Sequence, residues 1–143
     1  MNQADLRRIA EERILDAKAL LDGKRWELAY YATGYAVECA LKSCVLSRMI
    51  FTGWVFEEKW QAEKCRTHDL DALISLAGLR DELNAKLQAS SANGTPFVAY
   101  WPTTVQWKVS SRYEAKTEMD ARKLYEAISQ EPDGVLPWLR TYW

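Results

Sequence analysis

The stretch that decides the fold is Arg25-Trp26-Glu27-Leu28-Ala29-Tyr30-Tyr31-Ala32-Thr33-Gly34-Tyr35-Ala36-Val37-Glu38-Cys39-Ala40-Leu41-Lys42. It continues without proline to about Ile50, and Gly34 is its only glycine. Trp26, Tyr30, Thr33, Val37, Leu41 and Cys44 recur at helical spacing. Ala29, Tyr31, Ala32, Tyr35, Ala36, Ala40 and Val45 cover much of the remaining circumference. A helix that is apolar on more than one side is central in its domain. Gly34 costs about 1 kcal/mol relative to Ala in a helix interior, which predicts a tight crossing by another helix at that point.

Outward from this helix, residues 4–22 form an amphipathic partner. Its stripe is Leu6, Ala10, Ala17 and Leu21, joined by Ile9, Ile14 and Leu20, and Gly23 is placed to end it. Residues 51–67, with Phe51, Trp54, Phe56 and Trp60, read as an irregular aromatic-rich connection. Thr67-His68-Asp69-Leu70 opens a new helix, with Thr67 or Asp69 as the N-cap. Gly78 ends or kinks it, and Leu79, Leu83 and Leu87 carry a further helix to about Ala89. Ser90 to Pro96 reads as a loop. A short helix is expected from Pro102 to Lys108. The last long helix spans about Thr117 to Gln130, with Ala121, Leu124, Tyr125 and Ile128 inward. After the Glu131–Gly134 turn, a short helix runs to Trp143. The expectation is an all-α single domain over residues 1–143: an antiparallel four-helix bundle with short extra helices.

Composition narrows the function classes. The chain has 143 residues, with 19 Lys and Arg against 20 Asp and Glu, a net charge of -1. That excludes a polybasic protein that holds nucleic acid or anionic lipid by bulk charge, while a local basic patch remains open. Six glycines and four prolines disfavour a turn-rich β-sandwich. Cys39, Cys44 and Cys65 make an odd count with no C-x-x-C spacing, so they read as small hydrophobes and not as disulfides or metal ligands. The polar N-terminus and the lack of a long apolar run point to a cytoplasmic chain with no membrane segment.

Few residues are equipped for chemistry. His68 is the only histidine, so a Ser-His-Asp triad or a His-bearing zinc site would have to use it. No metal site and no cofactor are expected, since no H-E-x-x-H and no phosphate-cradling glycine loop occur. Glu38 and Lys42 form an i, i+4 pair inside an apolar helix, where a carboxylate needs partners. Trp101-x5-Trp107-x4-Arg112-Tyr113 brings a guanidinium and a phenol after two indoles. Arg112 there either forks onto Glu38, or stacks and binds phosphate.

Three of these stretches, in this order, resemble HEPN domains (higher eukaryotes and prokaryotes nucleotide-binding). Arg25–Lys42 resembles their second helix, Thr67-His68-Asp69-Leu70 with Ala77-Gly78-Leu79 the start of their third, and Trp107 through Arg112-Tyr113 with Asp120-Ala121 their Arg-Tyr segment and last long helix. The likeness spans roughly residues 4–130. It implies an antiparallel helical bundle, often a homodimer, in a family of ribonuclease toxins, partners of small nucleotidyltransferases and binding forms. Active ribonucleases of the family carry an Arg and, after four to six intervening residues, a His. Here Arg66 precedes His68 by only two positions and no His follows Arg112. The resemblance therefore implies a binding module for nucleotide, RNA or a partner protein, in a prokaryotic defence or toxin–antitoxin setting. Glu38, Lys42, Trp107, Arg112 and Tyr113 are its expected ligand residues. The alternative is a metal-independent endoribonuclease toxin built on His68 and Arg112.

Overall fold

The computed structural model describes residues 1–52 and 64–143. Every regular element within them is helical, as the all-α reading requires: α1 (Gln3–Asp22), α2 (Trp26–Thr52), α3 (Leu70–Leu76), α4 (Arg80–Asn93), α5 (Phe97–Val105), a 3-10 segment (Val109–Tyr113), α6 (Glu118–Ser129) and α7 (Val135–Leu139). Of the expected aromatic-rich connection, residues 53–63 lie outside the described residues.

Helix α1 starts where Asn2 and Asp5 cap each other reciprocally: the Asn2 side chain accepts from the Asp5 amide at 2.9 Å, and the Asp5 carboxylate accepts from the Asn2 amide at 3.0 Å. Its buried stripe, Leu6, Ala10, Ile14, Ala17 and Leu21, lies along α2. Ala10, Ala17 and Ala36 are fully buried, small enough for the two helices to approach closely. Helix α2 also packs against α3, the 3-10 segment, α6 and α7, so it is the central element that its sequence predicts.

The close approach at Gly34 is real, but an indole makes it. A Cβ at Gly34 would lie 2.2 Å from the Trp107 ring. Trp107 is 1% exposed and its ring also meets Tyr31, with centroids 5.9 Å apart. Trp107 was expected among the ligand residues. Its burial makes it a packing residue that staples the segment after α5 onto α2.

Three boundaries differ from the sequence reading. Ser90 to Asn93 continue α4, and the chain leaves the helix only at Gly94, which takes the left-handed conformation with φ 67°. The reason is tertiary. Ser90 is buried, and its hydroxyl donates to the Thr95 carbonyl at 2.7 Å while accepting from the Thr95 hydroxyl and the Val98 amide. A serine so partnered does not compete with the helix backbone. Helix α5 then begins at Phe97, not Pro102, and Pro102 sits inside it. Pro102 removes one helical donor, and the nearby carbonyls of Ala99 and Tyr100 accept from the Thr103 and Thr104 hydroxyls. Finally, α7 stops at Leu139, short of Trp143. Arg140 just beyond it forks onto Glu11 of α1 at 2.7 and 2.8 Å and bonds Glu131 at 2.8 Å. This guanidinium ties the C-terminal turn to the first helix.

Helix α6 opens on Thr117, whose hydroxyl accepts from the Asp120 amide while the Asp120 carboxylate accepts from the Thr117 amide. The Thr117 amide, and then the Thr117 side chain, bonding to the Asp120 carboxylate hold it below the ordinary carboxylate range. The contribution of this cap is present above that ordinary range and is lost as pH falls through the lowered value. Ala121, Leu124, Ala127 and Ile128 form the inner stripe. Tyr125, expected among them, is half-buried at its edge.

Gly34→Ala is expected to destabilise the chain by about 2–3 kcal/mol, because the new methyl forces the Trp107 ring off its seat. A urea titration followed by circular dichroism measures it, and an unchanged midpoint would mean that the indole moves freely.

Candidate functional site

The polar centre of the molecule is Glu38, in the middle of α2 and 1% exposed. A carboxylate so placed is costly unless it is paired. Two groups meet its Oε1. The Lys42 ammonium, one turn along the same helix, lies at 2.7 Å. The imidazole Nδ1 of His68, 30 residues away in sequence, lies at 2.9 Å. The Thr67–Asp69 turn carries His68 to that position. The Asp69 carboxylate caps α3 by accepting from the Asp71 and Ala72 amides, and the Thr67 hydroxyl accepts from the Asp69 amide. Leu70, 2% exposed, fixes the turn to the core.

A carboxylate only accepts hydrogen bonds, so His68 donates from Nδ1, and Nε2 is the ring nitrogen left for another partner. Half of the His68 side chain and 21% of that of Lys42 are exposed, against 2% of that of Glu38. The arrangement is an outward-facing imidazole oriented from behind by a buried carboxylate, with an ammonium beside it. Such an imidazole can bind a hydrogen-bond donor at Nε2. It can also take up a proton there, the carboxylate then stabilising the imidazolium. The second carboxylate oxygen, Oε2, and the indole Nε1 of Trp107 are both buried without a hydrogen-bond partner among the described residues. No group of three or more metal-ligating side chains occurs among the described residues.

The Arg-Tyr segment sits elsewhere along α2. The structure pairs Arg112 with Tyr113, the guanidinium carbon 4.8 Å from the ring centre, and not with Glu38. Both side chains point outward, and Tyr113 is 80% exposed. Of the two fates open to Arg112 in the sequence, stacking is the one adopted. Two further cation–ring contacts continue this surface toward the start of α2: Lys116 lies 4.5 Å over Tyr30, and Arg122 lies 5.3 Å over Trp26. Sequence reasoning missed both, although Trp26 and Tyr30, four apart on one face of a helix, were the available signal. It also missed the His68–Glu38 bond. Each residue stood out alone, but nothing local joins positions 30 apart.

No protein-family model, curated protein or solved structure matches this chain.

Cys39 and Cys44 are buried. Burial pushes the Cys44 thiol up to about 12 and that of Cys39 up to about 11. Both resist alkylation by iodoacetamide at pH 8 in the folded chain, because roughly one molecule in a thousand or fewer carries the thiolate there. Peptide mapping by mass spectrometry checks this, and fast modification of Cys44 without unfolding would contradict its burial. Glu38→Ala is expected to cost about 1–3 kcal/mol, since it strips Lys42 and His68 of their shared acceptor and leaves a cavity. A change within about 0.5 kcal/mol in chemical denaturation would place Glu38 at the surface instead.

Proposed function

We propose that the chain is a HEPN-like module, folded as an antiparallel four-helix bundle, that binds a phosphate-bearing ligand: RNA or a nucleotide, in a defence or toxin–antitoxin setting. A small nucleotidyltransferase is the protein partner that the family resemblance offers. The observation that carries this reading is the Arg112–Tyr113 pair. Among the described residues, no carboxylate forms an ion pair with Arg112, and its neighbouring ring is open to solvent. A guanidinium beside an exposed aromatic face suits a phosphate with its adjacent base. With 19 cationic and 20 anionic residues, recognition rests on such local contacts and not on the overall field.

A second reading is favoured by one specific contact, the 2.9 Å bond between His68 and Glu38. A metal-independent endoribonuclease needs a proton carrier and a cation at the phosphate. His68 is equipped for the first role, and Lys42, which shares its carboxylate oxygen, is the cation at hand for the second, Arg112 being placed elsewhere along α2.

One assay addresses both. Labelled RNAs and nucleotides are incubated with the protein in EDTA, and retention and cleavage are followed together. Binding without cleavage is expected. Arg112→Ala should weaken retention about tenfold, the loss of roughly one charge-assisted contact. Arg140→Ala should leave it nearly unchanged, because Arg140 is already engaged by Glu11 and Glu131. Equal losses in the two variants would remove the assignment of Arg112. RNA shortening that disappears in His68→Ala would establish the second reading in place of the first.

A further inference from the structure

Glu38 Oε2 and the Trp107 indole Nε1 are chemically complementary. An ionised carboxylate oxygen only accepts hydrogen bonds, and an indole N–H only donates them. Both atoms are buried, and among the described residues neither has a partner. Folded interiors leave few such atoms unsatisfied. The other buried polar side chains among the described residues, Thr33, Ser43, Ser90, Thr104 and Ser111, already make bonds. That leaves the carboxylate oxygen as the buried side-chain acceptor to answer this indole.

Helix α2 brings the two together. The indole lies over Gly34, with Nε1 2.3 Å from the point where a Cβ would stand. Glu38 is one turn further along on the same face, and Cβ positions so related are about 5–6 Å apart. Helical side chains lean toward the N-terminus, so the Glu38 side chain leans back toward position 34. Its Oε1 is already engaged by Lys42 and His68, which leaves Oε2 for the indole side. The two atoms do not bond each other directly. One water molecule spans such a gap by accepting from the indole and donating to the carboxylate.

We propose that Trp107 and Glu38 hold one buried water between Nε1 and Oε2, and that Trp107 is thereby a positioning residue for the His68–Glu38 pair. A carboxylate held at both oxygens is restrained from rotating about its last bond, so Oε1 stays aimed at His68 Nδ1. The ring that fills the space over Gly34 also steadies the group that orients the imidazole. This role is the same whichever ligand the chain takes.

Two-dimensional NMR of the isotope-labelled full chain tests it. The Trp107 indole signal is identified by its contact with the α-protons of Gly34. In the native chain its N–H proton should cross-relax with a water molecule held in the interior. Glu38→Gln should shift that signal and leave the other indole signals nearly in place. In Trp107→Phe the His68 Nδ1–H proton should exchange with solvent about tenfold faster, because the carboxylate it donates to is less firmly held. Trp101→Phe makes the same change at another buried indole and should leave that rate unchanged. A native chain whose Trp107 N–H shows no contact with water overturns the proposal. So does an indole signal that ignores Glu38→Gln, or equal His68 exchange in the two phenylalanine variants. If Trp107→Phe does not fold, the native water contact and the response to Glu38→Gln decide the matter. No nucleic acid is present in these measurements, so they and the RNA assay can fail independently.

Discussion

The carboxylate of Glu38 constrains more of this molecule than any other group. It sits in the middle of the most buried helix, where removal from water costs several kcal/mol unless opposite charge and hydrogen-bond donors replace the solvent. Lys42 supplies the charge from the next turn. The other donor comes from outside the helix, and His68 reaches it only because the Thr67–Asp69 turn ends against α2. One buried oxygen thereby fixes which edge of the only imidazole faces outward. The partner that makes Glu38 tolerable in the core is also the half-exposed imidazole of the chain.

Two uses of tryptophan and tyrosine stand out among the described residues. Trp107 and Trp101 are buried, and Trp107 occupies the space that a side chain at position 34 would fill. Trp26, Tyr30 and Tyr113 instead carry cations over their faces. Tyr30, buried with an ammonium over its face, gains both apolar burial and quadrupole attraction, whereas Tyr113 stays open to solvent. Lys116 and Arg122 also pair with Glu114 and Glu118, so these contacts order the surface without adding net charge to it.

The helices were legible where burial follows a single period. The stripes of α1, α2 and α6 could be read residue by residue because helical spacing places their apolar side chains on one side. Legibility failed where a tertiary partner reversed a local preference. Ser90 lies in a helix because Thr95 and Val98 satisfy its hydroxyl, and Pro102 lies inside α5 although prolines favour a first turn. At the site, Glu38, Lys42, His68, Arg112 and Tyr113 could all be singled out by residue type. Their grouping could not: Arg112 joined Tyr113, and His68 took the place beside Glu38 that the sequence offered to Arg112.

The sequence by itself determined that this is an all-helical chain with α2 at its centre and a charged pair inside it, because those properties depend on spacing within one helix. Only the tertiary structure decided which distant side chain answers the buried carboxylate, which indole covers Gly34 and which rings remain outside. Those outcomes depend on how separate helices pack. Packing is settled by the volume and unmet hydrogen bonds of the whole core at once, and no local pattern contains that sum.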